Sequence, residues 1–199
     1  MPKSPTQLDK SAEKRLARQA TSDAVRKSAP RLHTVVKYPD PVLVKAGEPV
    51  TEFTPELAKF VDEMFDSMYA AQGIGLAAPQ ISVSKQITVI DISFKERHED
   101  KIVLINPEVI DRRGKQYEDE GCLSLPEIYE KVQRDEWVKV RAQNVKGEFF
   151  EVEGDGLLAR ALLHEIDHLH GILFIDRLSR LKRDLVLRRI KKLQKAGDW

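Results

Sequence analysis

The segment His164-Glu165-Ile166-Asp167-His168 constrains this chain more than any other. Its two histidines stand four residues apart, so on a helix they share one face, one turn above the other. At that spacing they can hold one metal ion, and the glutamate between them can reach a water on the same ion. The chain must therefore build a helix with a ligand-bearing face. The chemistry indicated is metal-dependent hydrolysis. HExxH leaves the third ligand open, and with it the reaction.

The flanking residues support such a helix. It is expected over Gly156–Leu169, with Asp155 as cap and Gly171 as stop. Leu157 and Ala161 continue the histidine face toward the N-terminus, which predicts a buried face. Buried imidazoles and a buried carboxylate need partners, and a metal would supply them.

The chain's 199 residues suit one domain with a proper core. Its 33 basic and 32 acidic residues nearly cancel, so no overall electrostatic partner follows. No apolar run reaches membrane-spanning length, and no charged start leads into an apolar stretch with a cleavage site. A secretory or transmembrane reading has no support. The lone cysteine, Cys122, cannot form an internal disulfide, which points to a reducing compartment such as the cytosol.

Residues 1–31 read as a basic N-terminal extension, solvated or loosely helical, with eight basic residues against three acidic and no aromatic. From residue 32 to 199 the chain reads as a packed domain. Thr54-Pro55 opens a helix ending near Gly73, with Leu57, Phe60, Val61, Met64, Phe65 and Met68 as its core stripe. Strands are expected at Ile87–Ile92, Ile102–Ile105, Trp137–Ala142 and Glu148–Val152. A last helix runs from Ser179 to Lys195. Helices at both ends with short strands between them predict an α+β fold, its antiparallel sheets packed around the HExxH helix.

The third ligand is not downstream. The pattern HExxHxxGxxH would place it at Phe174, which cannot bind a metal, and no glutamate follows Glu165. Upstream stands Cys122, within Glu120-Gly121-Cys122-Leu123-Ser124-Leu125-Pro126. A lone cysteine is by habit a small core residue. Here Gly121 permits close backbone approach and Pro126 stiffens the exit, which favours the ligand reading. Cys122 with His164 and His168 would leave one position open, the pattern of a catalytic metal. A second glycine-rich segment, Gly73-Ile74-Gly75-Leu76-Ala77-Ala78-Pro79-Gln80, lacks the preceding strand and following helix of a dinucleotide site. It reads as a tight turn out of a helix, or as backbone able to approach an extended substrate with Gln80 as a donor.

GIGLAAPQ, EGCLS and HEIDH, in this order, resemble the three signature motifs of the peptide deformylases, most closely the bacterial type 1 group, which includes organellar members. The resemblance covers Leu32 to the end. It implies removal of the formyl group from the formylmethionine of nascent chains, with release of formate. It implies Fe²⁺, replaceable by Zn²⁺, Ni²⁺ or Co²⁺, on Cys122, His164 and His168. Glu165 would move the proton from attacking water to departing amine. Gln80 and the Leu123 backbone N–H would hold the developing oxyanion. The backbone at Ile74, Gly75 and Gly121 would line the peptide as an added strand, and Ile74, Leu157, Ala161 and His164 would border an apolar methionine pocket. Glu120 and Asp167 are placed to orient the histidines, with Arg134 either neutralising one of them or forming an ordinary surface pair. The role of Arg160 stays open, and Leu163 departs from the glutamine common before the first histidine.

The last helix has an apolar stripe from Leu178 to Leu193 flanked by many Arg and Lys residues. It reads as the solvated face of a docked helix or, with the family, as a contact to ribosomal RNA. The protein is expected to be a cytoplasmic monomer without membrane contact. Two competing readings stand beside this one: a protease cleaving internal peptide bonds, and an RNA-binding protein with a structural metal.

Overall fold

The computed structural model describes residues 31–93, 96 and 100–199; the basic N-terminal extension read at 1–31 lies, but for Arg31, outside them. Leu32–Trp199 forms one compact unit. The first helix, α1 (Pro55–Ala70), begins on the expected proline; Thr54 holds the cap position but makes no capping bond with its side chain. Four of the strands that follow are β1 (Gly75–Ala77), β2 (Ile87–Ile90), β3 (Ile102–Arg113) and β4 (Gln116–Cys122). The other three are β5 (Leu125–Arg134), β6 (Trp137–Gln143) and β7 (Phe149–Asp155). Helix α2 (Gly156–Leu169) carries HExxH, and α3 (Arg180–Ala196) ends the chain.

The strands form an antiparallel five-stranded sheet in the order β1-β2-β3-β6-β7 and a separate β4–β5 hairpin. Alternation along the strands sorts the core onto two faces. Val89 and Ile105 pack with Met64, Phe65 and Met68 of α1. Their neighbours Ile90 and Leu104 pack with Leu162, Leu163 and Ile166 of α2. A third cluster joins Leu125, Ile128 and Val132 of the hairpin to Phe174, Val186 and Ile190. Helix α2 touches both the sheet and β5. It is thus the element on which sheet and hairpin meet.

The α+β class is as the sequence implied, with three departures. Strand β3 does not stop at Ile105. Asn106 adopts a left-handed conformation (φ 51°) and anchors to Val50 and Gln143 by 2.8 Å side-chain bonds, making an irregularity through which pairing with β6 resumes. The β4–β5 hairpin escaped sequence reading, because three consecutive β4 residues, Glu118, Asp119 and Glu120, erase the usual alternation; only Glu120 of these is buried. Asp155 occupies the cap position of α2, but without a side-chain bond. Gly171 does stop that helix, with φ 71° and with Val44 and Lys45 backbone where a Cβ would stand.

Leu162 is fully buried between α2 and the sheet. Leu162→Ala should cost about 2–5 kcal/mol of stability, measured by urea denaturation; a wild-type midpoint would contradict this packing.

Candidate metal centre

Helix α2 presents His164 and His168 side by side, ring centroids 4.8 Å apart and planes at 82°. Their Nε2 atoms are 3.2 Å apart, and Cys122 Sγ lies 3.2 Å from His168 Nε2. The donor atoms of Cys122, His164 and His168 all fall within 4.8 Å of one another. Cys122 reaches this point from the far side, at the end of β4, where the register shifts before the turn into β5. Three soft or borderline donors, two from α2 and one from β4, converge on one point and suit a single ion.

Of the two histidines, His164 is oriented by charge. His164 Nδ1 lies 2.6 Å from Glu120 Oε1. Glu120 takes both prongs of Arg134, at 2.5 and 3.0 Å, and Nη1 of Arg160 at 2.8 Å. Burial would raise the Glu120 carboxyl, but Arg134 and His164 outweigh it and hold it well below the usual carboxylate range. As an anion it can only accept, so His164 carries its proton on Nδ1 and turns the Nε2 lone pair toward Cys122 and His168. Burial, together with the neighbouring His164, pushes His168 well below the imidazole range. Its buried Nδ1 has no partner among the described residues. A neutral His168 is the form a metal needs. Arg134 also grips Asp167 at 2.5 Å, and Arg177 closes on the same carboxylate. Arg134 is therefore no surface pair: it is 4% exposed.

Glu165 lines a cleft together with Cys122 and His164. It is buried, its Oε2 lacks a partner among the described residues, and burial pushes its carboxyl up to about 7. A Cβ on Gly75 would stand 2.3 Å from its Oε1, so only glycine admits the carboxylate beside β1. Gln80 is 1% exposed. Its Oε1 accepts from the Ala77 N–H at 2.9 Å, which leaves the amide Nε2 facing Ser124 Oγ (3.2 Å) and Cys122 Sγ (3.5 Å).

The cleft, about 530 Å³, is lined by Ile74, Gly75, Gln80, Gly121, Cys122, Leu123, Leu157, Arg160, Ala161, His164 and Glu165 among others. All residues singled out from the three motifs border it except Asp167 and His168, which are buried. Two expectations fail: Asp167 meets Arg134 and Arg177 and orients no histidine, and Leu157 is 51% exposed, because the first turn of α2 stands at the cleft rim. Sequence reading did not pick out Tyr129, Asp119 or Glu127, which extend the cleft wall along the hairpin. No short-range signal marks them, because register alone brings Tyr129 opposite Gly121.

An α+β fold that sets a Cys-His-His donor set beside a buried carboxylate, at the floor of an open cleft, defines a mononuclear metal-dependent hydrolase. The family profile for polypeptide deformylase matches residues 32–184, and the chain belongs to the peptide deformylase family. It is 67% identical over 168 residues to a peptide deformylase of Acidobacterium capsulatum, covering 84% of this chain and 99% of that protein. A peptide deformylase of Thermodesulfovibrio yellowstonii is 49% identical over 79% of this chain and 95% of its own. The crystal structure of a Legionella pneumophila peptide deformylase superposes with a TM-score of 0.78 at 43% identity, covering 84% of this chain and 98% of that one. The chain is thus a metal-dependent hydrolase that removes the N-terminal formyl group from polypeptides.

Gly75→Ala should push the Glu165 carboxylate out of place and lower formate release by about 10²-fold or more, as expected when a general acid–base group is lost. Its metal content should match wild type; unchanged activity would show that the close approach is unimportant.

Proposed function

We propose that Cys122, His164 and His168 hold a divalent ion, Fe²⁺ in the native enzyme, with Zn²⁺, Ni²⁺ or Co²⁺ able to replace it. The mixed sulfur and imidazole donor set suits these metals. When bound, such an ion polarises a carbonyl and lowers the pKa of a coordinated water from ~15.7 toward ~7.

The remaining work falls to the protein. Glu165 takes the proton of the attacking water and returns it to the departing amine. A carboxyl pushed up to about 7 sits where it can do both near neutral pH. The Gln80 amide and the Leu123 backbone N–H receive the formyl oxygen as it gains charge; fixed donors of this kind contribute roughly 2.7–4 kcal/mol each. The backbone at Ile74, Gly75 and Gly121 aligns the peptide as an extended strand. Leu157 and Ala161 wall the methionine side chain. The observation that carries this reading is Glu165, its unpaired oxygen in the cleft beside three converging donors.

We assign residues 32–199 as the catalytic domain and 1–31 as a basic extension. We take the enzyme to act as a monomer. The substrate, a formyl-methionyl nascent chain, places the enzyme in the cytoplasm, or in an organelle that translates with formylmethionine. No helix among the described residues is long and apolar enough to cross a membrane. Helix α3 buries Val186 and Ile190 and leaves Arg188, Arg189, Lys191 and Lys192 exposed, an arrangement suited to ribosomal RNA.

Glu165→Ala should retain stoichiometric metal while formate release from formyl-Met-Ala-Ser falls by about 10²–10⁴-fold; recovery of metal-free protein would contradict the separation of ligand and acid–base roles. Metal analysis of anaerobically purified protein should find iron, and activity should decay in air through oxidation at iron and Cys122. Reversing Arg188, Arg189, Lys191 and Lys192 to glutamate should weaken ribosome cosedimentation and flatten its salt dependence; wild-type binding would remove the RNA-contact role.

A further inference from the structure

Arg160 has no part in the chemistry above, yet it is built into the centre. It precedes His164 by one turn of α2 and is 5% exposed. Its Nη1 donates to Glu120 Oε2 at 2.8 Å. Its Nη2 donates to the Val132 carbonyl at 3.2 Å and to Gln116 Oε1 at 3.4 Å. Side-chain atoms of the same residue border the substrate cleft. An arginine buried with its guanidinium satisfied on three acceptors is costly to place and is held in one geometry.

What it holds is the Glu120 carboxylate. Oε1 faces His164 Nδ1 and Arg134 Nη2, and Oε2 faces Arg134 Nε and Arg160 Nη1. Arg134 grips this carboxylate with Nε and Nη2 and gives Nη1 to Asp167, which is shared in turn with Arg177. Arg160 is instead pinned to β5 and β4, through Val132 and Gln116. It therefore ties Glu120 to a point independent of the Arg134–Asp167 chain. Two buried carboxylates, Glu120 and Asp167, then face two buried guanidiniums, Arg134 and Arg160.

We propose that Arg160 is a positioning residue for the metal centre: by fixing Glu120 Oε2 it commits Oε1 to His164 and so aims the His164 Nε2 atom at Cys122 and His168. The inference rests on the assignment of those three residues as ligands. It predicts that loss of the guanidinium loosens the metal even though Arg160 touches no ligand.

The test uses the full chain loaded with Co²⁺, whose visible and sulfur-to-metal absorption bands report the coordination sphere directly. Arg160→Met keeps a long apolar stem at the cleft and removes the guanidinium. It should bind Co²⁺ about 10- to 100-fold more weakly in a chelator competition, the usual effect of losing a group that orients a ligand. Its visible bands should also shift, which a loss of fold stability alone would not produce. Arg160→Lys can reach Glu120 but not Glu120 and Val132 together, and it should fall between the two. Wild-type Co²⁺ affinity and spectra in both variants would overturn the proposal. If Arg160→Met does not fold, the lysine variant decides in the same way. Cys122→Ala separates the two layers of the argument. If that variant keeps wild-type Co²⁺ affinity and bands, the ligand assignment fails. If it loses them while the Arg160 variants do not, only the role of Arg160 falls.

Discussion

Glu120 is the group on which the rest of the centre depends. A carboxylate this deeply buried would ordinarily take up a proton and stop accepting from its neighbours. Two guanidiniums and an imidazole keep it ionised. That charge decides which nitrogen of His164 bears hydrogen, and therefore which faces the metal position. The ion pairs need not add net stability, since desolvation offsets much of their attraction. Their effect is directional: they leave the imidazole one orientation.

The same network ties distant pieces of chain together. Arg134 comes from β5, Glu120 from β4, Asp167 and Arg160 from α2, and Arg177 from the segment before α3. The hairpin that delivers Cys122 is thus locked to the helix that delivers the histidines. On the other side of α2, Leu162 and Ile166 lock that helix to the sheet that delivers Gly75. The Cys-His-His donor set, Glu165 and Gly75 are held to one another by a polar clamp on one side and apolar packing on the other.

How much could be read in advance varied with the range of the interaction. HEIDH was legible because its geometry is local to one helix, and α2 runs over the residues that patterning indicated. Cys122 was reachable by exhausting the alternatives and by the company of Gly121 and Pro126. The β4–β5 hairpin was not legible, since its charged residues mask the alternation. Nor was the exposure of Leu157 at the cleft rim. Arg134 stood undecided between surface and centre, and the role of Arg160 stayed open. Both are long cations whose burial depends on a carboxylate contributed from another strand.

By itself, the sequence determined the helix, the donor types and the general chemistry, because these depend on spacing within a few turns and on what each side chain can coordinate. Only the tertiary structure decided which nitrogen each imidazole presents, why residue 75 must lack a side chain, and how Arg160 enters the site. Those outcomes follow from contacts between segments remote in sequence, such as the close approach of Glu165 to Gly75.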